Sequence, residues 1–352
     1  MSVDAAIERE TPRALTGTLS ALLPVKVSGR HYGENLARLD LLFSSLLHFA
    51  VPGLFGEILI VVPANEADYI ARHLENWPEL PIRLVIEDEH FPAFRRFTRP
   101  WQIRPWQRQQ IIKLNAPAIA SGPFVLMLDP DVLAVKPIAY EFLVQDGRAV
   151  LEPEPRTVHR RWWQDSAALL DVEPGLDRQG IGVTPAILST EILTEVQSRL
   201  EAVSGRPWMD TLLTSYCDWT EFTLYLLAAE SSGLLDRCHI WADDPAVPHR
   251  LQVDPDISIW DMNGASVEAV QRLFTAADSG LFAVVQGGTI SAREVAGVAE
   301  EQFAVRSIPC EPFEESAGGG LKRTERVRTA SRLVAQALYR LRRQVRSQLK
   351  TA

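Results

Sequence analysis

Short apolar runs alternate with helical segments through the first third of the chain, and this alternation constrains the fold more than any other feature. "SALLPVKVS" (20–28), "EILIVVP" (57–63), "IRLVIEDEHF" (82–91) and "FVLMLD" (124–129) read as strands. Their apolar runs are nearly continuous rather than alternating, as in strands covered on both faces. Between them, "YGENLARLDLLFSSLLHF" (32–49), "NEADYIARHLENW" (65–77) and "WQRQQIIKLNAPAIA" (106–120) carry helical spacing. Asn65 is the expected cap of the second helix. Strand–helix alternation of this kind predicts an α/β fold with a doubly wound, mostly parallel sheet.

In such sheets ligands gather beyond the carboxyl ends of the strands. The run "FVLMLDPDVLAVKP" (124–137) places Asp129 and Asp131 at one of those ends. Two carboxylates one residue apart can hold a divalent cation, which in turn neutralises a diphosphate. Asp-Pro-Asp is also good turn chemistry after a strand. The apolar run before the pair and the resumption of strand character after it favour a site.

The second half is less regular. "AVLEPEP" (149–155) reads as a strand. "GIGVTPAILSTEILTEVQSRLEAV" (180–203) reads as strand, turn and helix, and "DWTEFTLYLLAAESSG" (218–233) as an amphipathic helix with a glycine stop. "GLFAVVQGGT" (280–289) reads as a late strand, and "SAREVAGVAEEQF" (291–303) as a helix capped by Ser291. The expected organisation is an N-terminal extension (1–19), a main domain (20–314) and a glycine-rich linker with a C-terminal helix (315–352). The domain divides into a regular half (about 20–150) and a less regular half (about 151–314).

At 46% hydrophobic and 23% charged the composition is globular. Cys217, Cys238 and Cys310 are too few and too scattered for a disulfide framework. No stretch approaches the roughly 18 apolar residues of a membrane span, and the N-terminus lacks a signal-peptide core. The expected location is cytoplasmic, with any membrane contact peripheral. The net charge is −9, yet from Leu321 onward ten Lys and Arg stand against Glu325 alone. The tail is therefore +9 and the body −18, which argues against nucleic acid as a partner of the body. Val334, Ala337, Leu338, Leu341 and Val345 fall on one face of a basic amphipathic helix, a pattern suited to an anionic membrane surface, to the acidic body or to a partner subunit.

With those residues in view, "FVLMLDPDVLAVKP" resembles the metal-binding strand of GT-A-fold glycosyltransferases, with Pro130 in a place where proline is less usual. "WQRQQIIKL" (106–114) is similar to the Trp/Tyr-x-Arg-Gln-Gln-x-x-Lys-Leu helix of a largely uncharacterised bacterial branch of those enzymes. "GIGVTPAILS" (180–189) and "DWTEFTLY" (218–225) match that branch's acceptor-side segments in order and spacing. The resemblance spans roughly residues 20–305. It implies a GT-A-like fold and a metal-dependent transfer of a sugar from a nucleotide-sugar donor, foremost a UDP-sugar, to a glycan or lipid-linked acceptor in bacterial surface polysaccharide synthesis. By the same resemblance Asp129 faces the ribose and the metal, and Asp131 binds Mn²⁺ or Mg²⁺ and the diphosphate. His249 is the candidate third ligand, with His239 after it.

Arg108 and Lys113 are candidates for phosphate oxygens, or members of a solvated helix face. Asp218 and Glu221 are candidates for the base that takes the acceptor proton. The same two residues also fit a capping box, Asp218 as N-cap and Glu221 at N3. The tryptophans of "RRWWQD" (160–165) and "RPWQIRPWQ" (99–107) suit either sugar stacking or core packing. Two other readings stand beside the transferase: a nucleotidyltransferase, disfavoured by the sparse glycines of "VSGRHYGEN" (27–35), and a non-catalytic glycan-binding or assembly protein on a decayed fold.

Overall fold

A computed structural model describes residues 17–28, 34–96, 105–215, 217–310 and 313. The central sheet has five strands. Four are parallel: β1 (Leu19–Pro24), β2 (Phe55–Val62), β3 (Ile82–Ile86) and β4 (Phe124–Met127), in the order β4-β1-β2-β3. The strand Ala186–Ser189 closes the β4 edge antiparallel, with Ile187 opposite Leu126. The expected α/β class with a mostly parallel sheet is what the chain adopts.

The strand residues explain the arrangement. Ala21–Leu23, Ile58–Val62 and Val125–Leu128 are wholly removed from solvent, so each strand needs cover on both faces. The cover includes α1 (Asn35–Phe49), α2 (Ala67–Leu74) and the helix Pro105–Leu114. One hydrophobic cluster joins β1–β4 to the helices Arg160–Leu170, Thr190–Ser204 and Glu221–Ser231. Truncating a central member such as Leu126 to Ala removes packing worth about 2–5 kcal/mol.

β5 (Val132–Ala134) resumes after the two aspartates as expected, but in a different sheet. It pairs antiparallel with Phe282–Val284, Val132 facing Val284. The chain therefore changes sheets across Asp129–Asp131. A third small sheet sets Arg148–Leu151 parallel to His239–Trp241. A second hydrophobic cluster, from Leu133 and Val135 to Val295 and Phe303, supports β5 from beneath.

Several local expectations are corrected. β3 ends at Ile86, and Glu87–His90 form a helical turn instead of continuing the strand. Asn65 does not cap α2; it sits in a 3-10 turn, and the next residue, Glu66, turns its carboxylate to Val27 N–H (2.6 Å) and Ser28 Oγ–H. The helix at 221–231 is not amphipathic: Glu221–Ala229 are all buried, as in a core helix. Its cap is Thr220, in a reciprocal box with Thr223, not Asp218 with Glu221. Ser291 caps the helix Ala292–Ala299 as expected, reciprocally with Glu294. The expected linker and basic helix (315–352) and residues 1–16 lie outside the described residues.

Candidate active site

The carboxyl ends of β1–β4 define one edge of the sheet, and the charged residues of the sequence converge there. Past β4 the backbone turns at Pro130, with Val132 N–H donating to Asp129 C=O at 3.1 Å. Asp129 faces inward. Lys113 Nζ lies 3.0 Å from its Oδ1 and 3.1 Å from its Oδ2, and the Thr184 hydroxyl donates to Oδ2. Lys113 Nζ is also 3.4 Å from Glu221 Oε1. The Lys113 side chain is 3% exposed and that of Glu221 1%. Burial opposes the lysine's charge, but Asp129 and Glu221 together outweigh it and hold its pKa above the usual value. Burial pushes the Glu221 carboxyl up, against the pull of Lys113. Neither Glu221 oxygen has a hydrogen-bond partner, while its backbone N–H donates to Gln110 Oε1 at 3.1 Å.

Asp131 faces the second sheet. Its Oδ2 accepts from Gly287 N–H at 3.2 Å, and its C=O accepts from Val285 N–H at 2.8 Å. Gly288 adopts φ +86°, a left-handed turn that glycine makes at little cost. This turn follows Phe282–Val284 and keeps Gly287 N–H under the carboxylate. Burial first, and the neighbouring Asp129 charge second, raise the Asp131 pKa to about 6. The buried Arg38 of α1 partly offsets this; its guanidinium is fixed by Val285 C=O (2.9 Å) and Ile290 C=O (2.7 Å).

The other predicted residues go elsewhere. Arg108 is not beside Lys113's partners: it pairs with Glu87 at the end of β3 and lies 4.5 Å over the Phe94 ring. Burial raises the Glu87 carboxyl, with Arg108 and Lys26 opposing, so this pair marks a second charged point on the same sheet edge. His249 packs on Phe142, ring centroids 4.3 Å apart. His239 has both ring nitrogens engaged. Its Nδ1 meets Ala149 C=O at 3.0 Å, its Nε2 meets Tyr225 OH, and burial lowers its pKa to about 4. Asp218 is an ion-pair partner of Arg161 at 3.0 Å, and its N–H donates to Asp165.

Among the described residues no group of three or more His, Cys, Asp and Glu side chains is arranged to hold a metal ion. The pair alone suits one nonetheless. Asp129 Oδ1 is buried, with the Lys113 ammonium beside it at 3.0 Å but no aligned hydrogen bond to it, and Asp131 stands one residue on. Mg²⁺ is commonly held by one or two carboxylates together with substrate phosphates and waters. Two carboxylates beside an open edge are therefore a sufficient protein contribution.

The adjacent tryptophans divide by role. Trp163 is core, 1% exposed, under the Arg156 guanidinium at 4.3 Å. Trp162 turns outward, stacked on His159 at 3.9 Å and near the exposed Trp106 at 5.7 Å. Trp106 lies one helical turn before Gln110, and Trp162 is next to the Asp218 partner Arg161. This aromatic face thus flanks the charged cluster. Thr184, Gln110, Gly287 and Arg38 were not anticipated. Thr184 and Gln110 fall inside "GIGVTPAILS" and "WQRQQIIKL", and Gly287 inside "QGGT"; Arg38 carried no signal beyond an arginine on an apolar helix.

The chain belongs to a family of unknown function, DUF6492, whose sequence model matches residues 16–305. No curated protein matches the sequence. Among solved structures, the apo form of mouse xyloside xylosyltransferase 1 is similar at 14% identity and a TM-score of 0.43, over 78% of this chain and 99% of that one. The galactosyltransferase LgtC, in complex with donor and acceptor sugar analogs, is similar at 14% identity and a TM-score of 0.44, over 83% and 98%. A mycobacterial protein is 22% identical with a TM-score of 0.30, over 51% and 55%.

Proposed function

We propose that this member of the DUF6492 family is a metal-dependent glycosyltransferase of GT-A type, moving a sugar from a nucleotide-sugar donor to a glycan or lipid-linked acceptor. One observation carries the reading. Asp129 and Asp131 stand at the carboxyl end of β4 where the chain passes to a second sheet, with Lys113 locked to Asp129 behind them. That edge is where α/β sheets bind nucleotides.

Asp129 and Asp131 are the residues that would hold Mn²⁺ or Mg²⁺, which would supply charge to offset the leaving diphosphate. Lys113 neutralises the inward carboxylates, so Asp129 keeps its orientation whether or not a donor is present. Glu221, sealed at 1% exposure, holds Lys113 and acts as a positioning residue. Of the two acids considered as base, Asp218 is the one that reaches solvent, with its side chain 21% exposed beside Arg161. The Trp106–Trp162 face takes the acceptor, because the C–H face of a sugar ring packs on an aromatic surface. Arg108, paired with Glu87 at the β3 end of the same edge, is the further candidate for the donor's phosphate oxygens.

Nucleotide-sugar hydrolysis in the absence of acceptor, measured with and without Mn²⁺, tests the reading. Metal-dependent release of nucleoside diphosphate from at least one donor is the expected result. Metal-independent release, or none from a full panel of donors, overturns it.

A further inference from the structure

A second chemical cluster lies away from this site, where the segment after Phe303 returns along α1 and α2. Asp40, on α1, is 2% exposed and accepts three N–H bonds: His73 Nε2 (2.7 Å) and Trp77 Nε1 (3.3 Å) at Oδ1, and Ile308 N (2.9 Å) at Oδ2. A buried carboxylate with three donors is an acceptor only, so the proton between Asp40 and His73 sits on Nε2. With Nε2 turned to Asp40, Nδ1 is the nitrogen left to face the thiol, 3.0 Å from Cys310 Sγ. Sγ also contacts Ile308 C=O at 3.3 Å. Cys310 is exposed, whereas Cys217 and Cys238 are buried. Arg306 stacks 4.7 Å over Trp77 and pairs with Glu79, and it also feels the Asp40 charge.

Nucleophile, base and orienting carboxylate thus stand in line, the arrangement that activates hydroxyl and thiol nucleophiles. We propose that Cys310 is a modification site, a thiol that His73 deprotonates while Asp40 holds the ring, and that exchanges with low-molecular-weight disulfides. In the step, Nδ1 takes the proton from Sγ and Sγ attacks one sulfur of the small disulfide. The S–S bond breaks, and the departing thiolate takes the proton back from Nδ1. The products are a mixed disulfide at Cys310 and one free thiol; Cys310 is oxidised and the departing sulfur reduced. Burial, with the Asp40 charge behind it, pushes the Cys310 thiol up, so exchange near neutral pH needs this local proton acceptor.

The test uses the full chain, folded, with glutathione disulfide as the probe and mass spectrometry of each cysteine-containing peptide. Cys310 forms the mixed disulfide, and the buried Cys217 and Cys238 are not modified. His73→Gln slows the reaction at neutral pH about 100-fold or more, the scale of one positioned base. Equal rates in wild type and a folded His73→Gln overturn the proposal. If that variant does not fold, the wild-type pH profile decides. A shoulder below the ordinary thiol range supports the base, and a single climb through the thiol range overturns it.

Discussion

Lys113 Nζ stands 3.0 Å from Asp129 Oδ1, with the lysine side chain 3% exposed and the aspartate 25%. A cation this deeply buried survives only because it is paired, and here Glu221 closes the other side at 3.4 Å. Lys113→Met leaves two inward carboxylates uncompensated. The expected loss is about 3–5 kcal/mol in urea unfolding, the cost of breaking a buried ion pair by removing one partner. A loss below about 1 kcal/mol, the scale of a surface pair, contradicts the buried arrangement.

Glu221→Gln separates positioning from proton transfer. The amide keeps the shape and removes the charge that fixes Lys113. Donor affinity falls with turnover if Glu221 acts through Lys113. A loss confined to kcat, at unchanged donor affinity, assigns it to the acceptor proton instead.

The pH dependence follows from Asp131, whose folded pKa of about 6 lies above the ordinary aspartate value. The sign is that of a raised acid: the fold prefers the protonated form, so this group's contribution to stability falls as pH rises from about 4 to about 6. A divalent cation prefers the ionised form. Stabilisation by Mn²⁺ in thermal unfolding therefore grows as pH rises through about 6 and is smallest below it. A shift that is flat across this window, or largest at low pH, contradicts the assignment.

These relationships show which parts of the site the sequence made legible. β4 and its aspartates were readable because an apolar run followed by acids is a local pattern. The cap of the helix at 221–231 was not. Asp218-x-x-Glu221 and Thr220-x-x-Thr223 offer the same spacing two residues apart. Arg161 claims Asp218 and Lys113 claims Glu221, so the threonines cap. The setting of His249 was unreadable for the same long-range reason. Its loop is set by Arg250 on Glu152 (2.9 Å) and by Gln252 on Pro185 C=O (2.9 Å), contacts nearly 100 and 67 residues away. Trp162 and Trp163 were separable only once the helix Arg160–Leu170 had a buried side.

The aromatic face predicts an acceptor effect. Trp106→Ala and Trp162→Ala each raise the acceptor KM several-fold, consistent with roughly 1 kcal/mol per ring contact. Mn²⁺-dependent donor binding stays unchanged. Equal losses of donor and acceptor binding place these side chains in the donor pocket or in the fold.

The basic segment 321–352 predicts attachment to an anionic lipid surface, each basic residue adding on the order of 1 kcal/mol. Cosedimentation with anionic liposomes at low salt is expected for the full chain and lost on deletion of 321–352. Binding that survives deletion assigns attachment elsewhere.

The central claim is that Asp131 joins Asp129 in holding a divalent cation against a diphosphate. Nucleoside diphosphate binding to the wild type and to Asp131→Ala, each with and without Mn²⁺, tests it most directly. The account predicts a strong Mn²⁺ dependence in the wild type that disappears in a variant of unchanged thermal stability. Undiminished Mn²⁺-dependent binding by Asp131→Ala contradicts it.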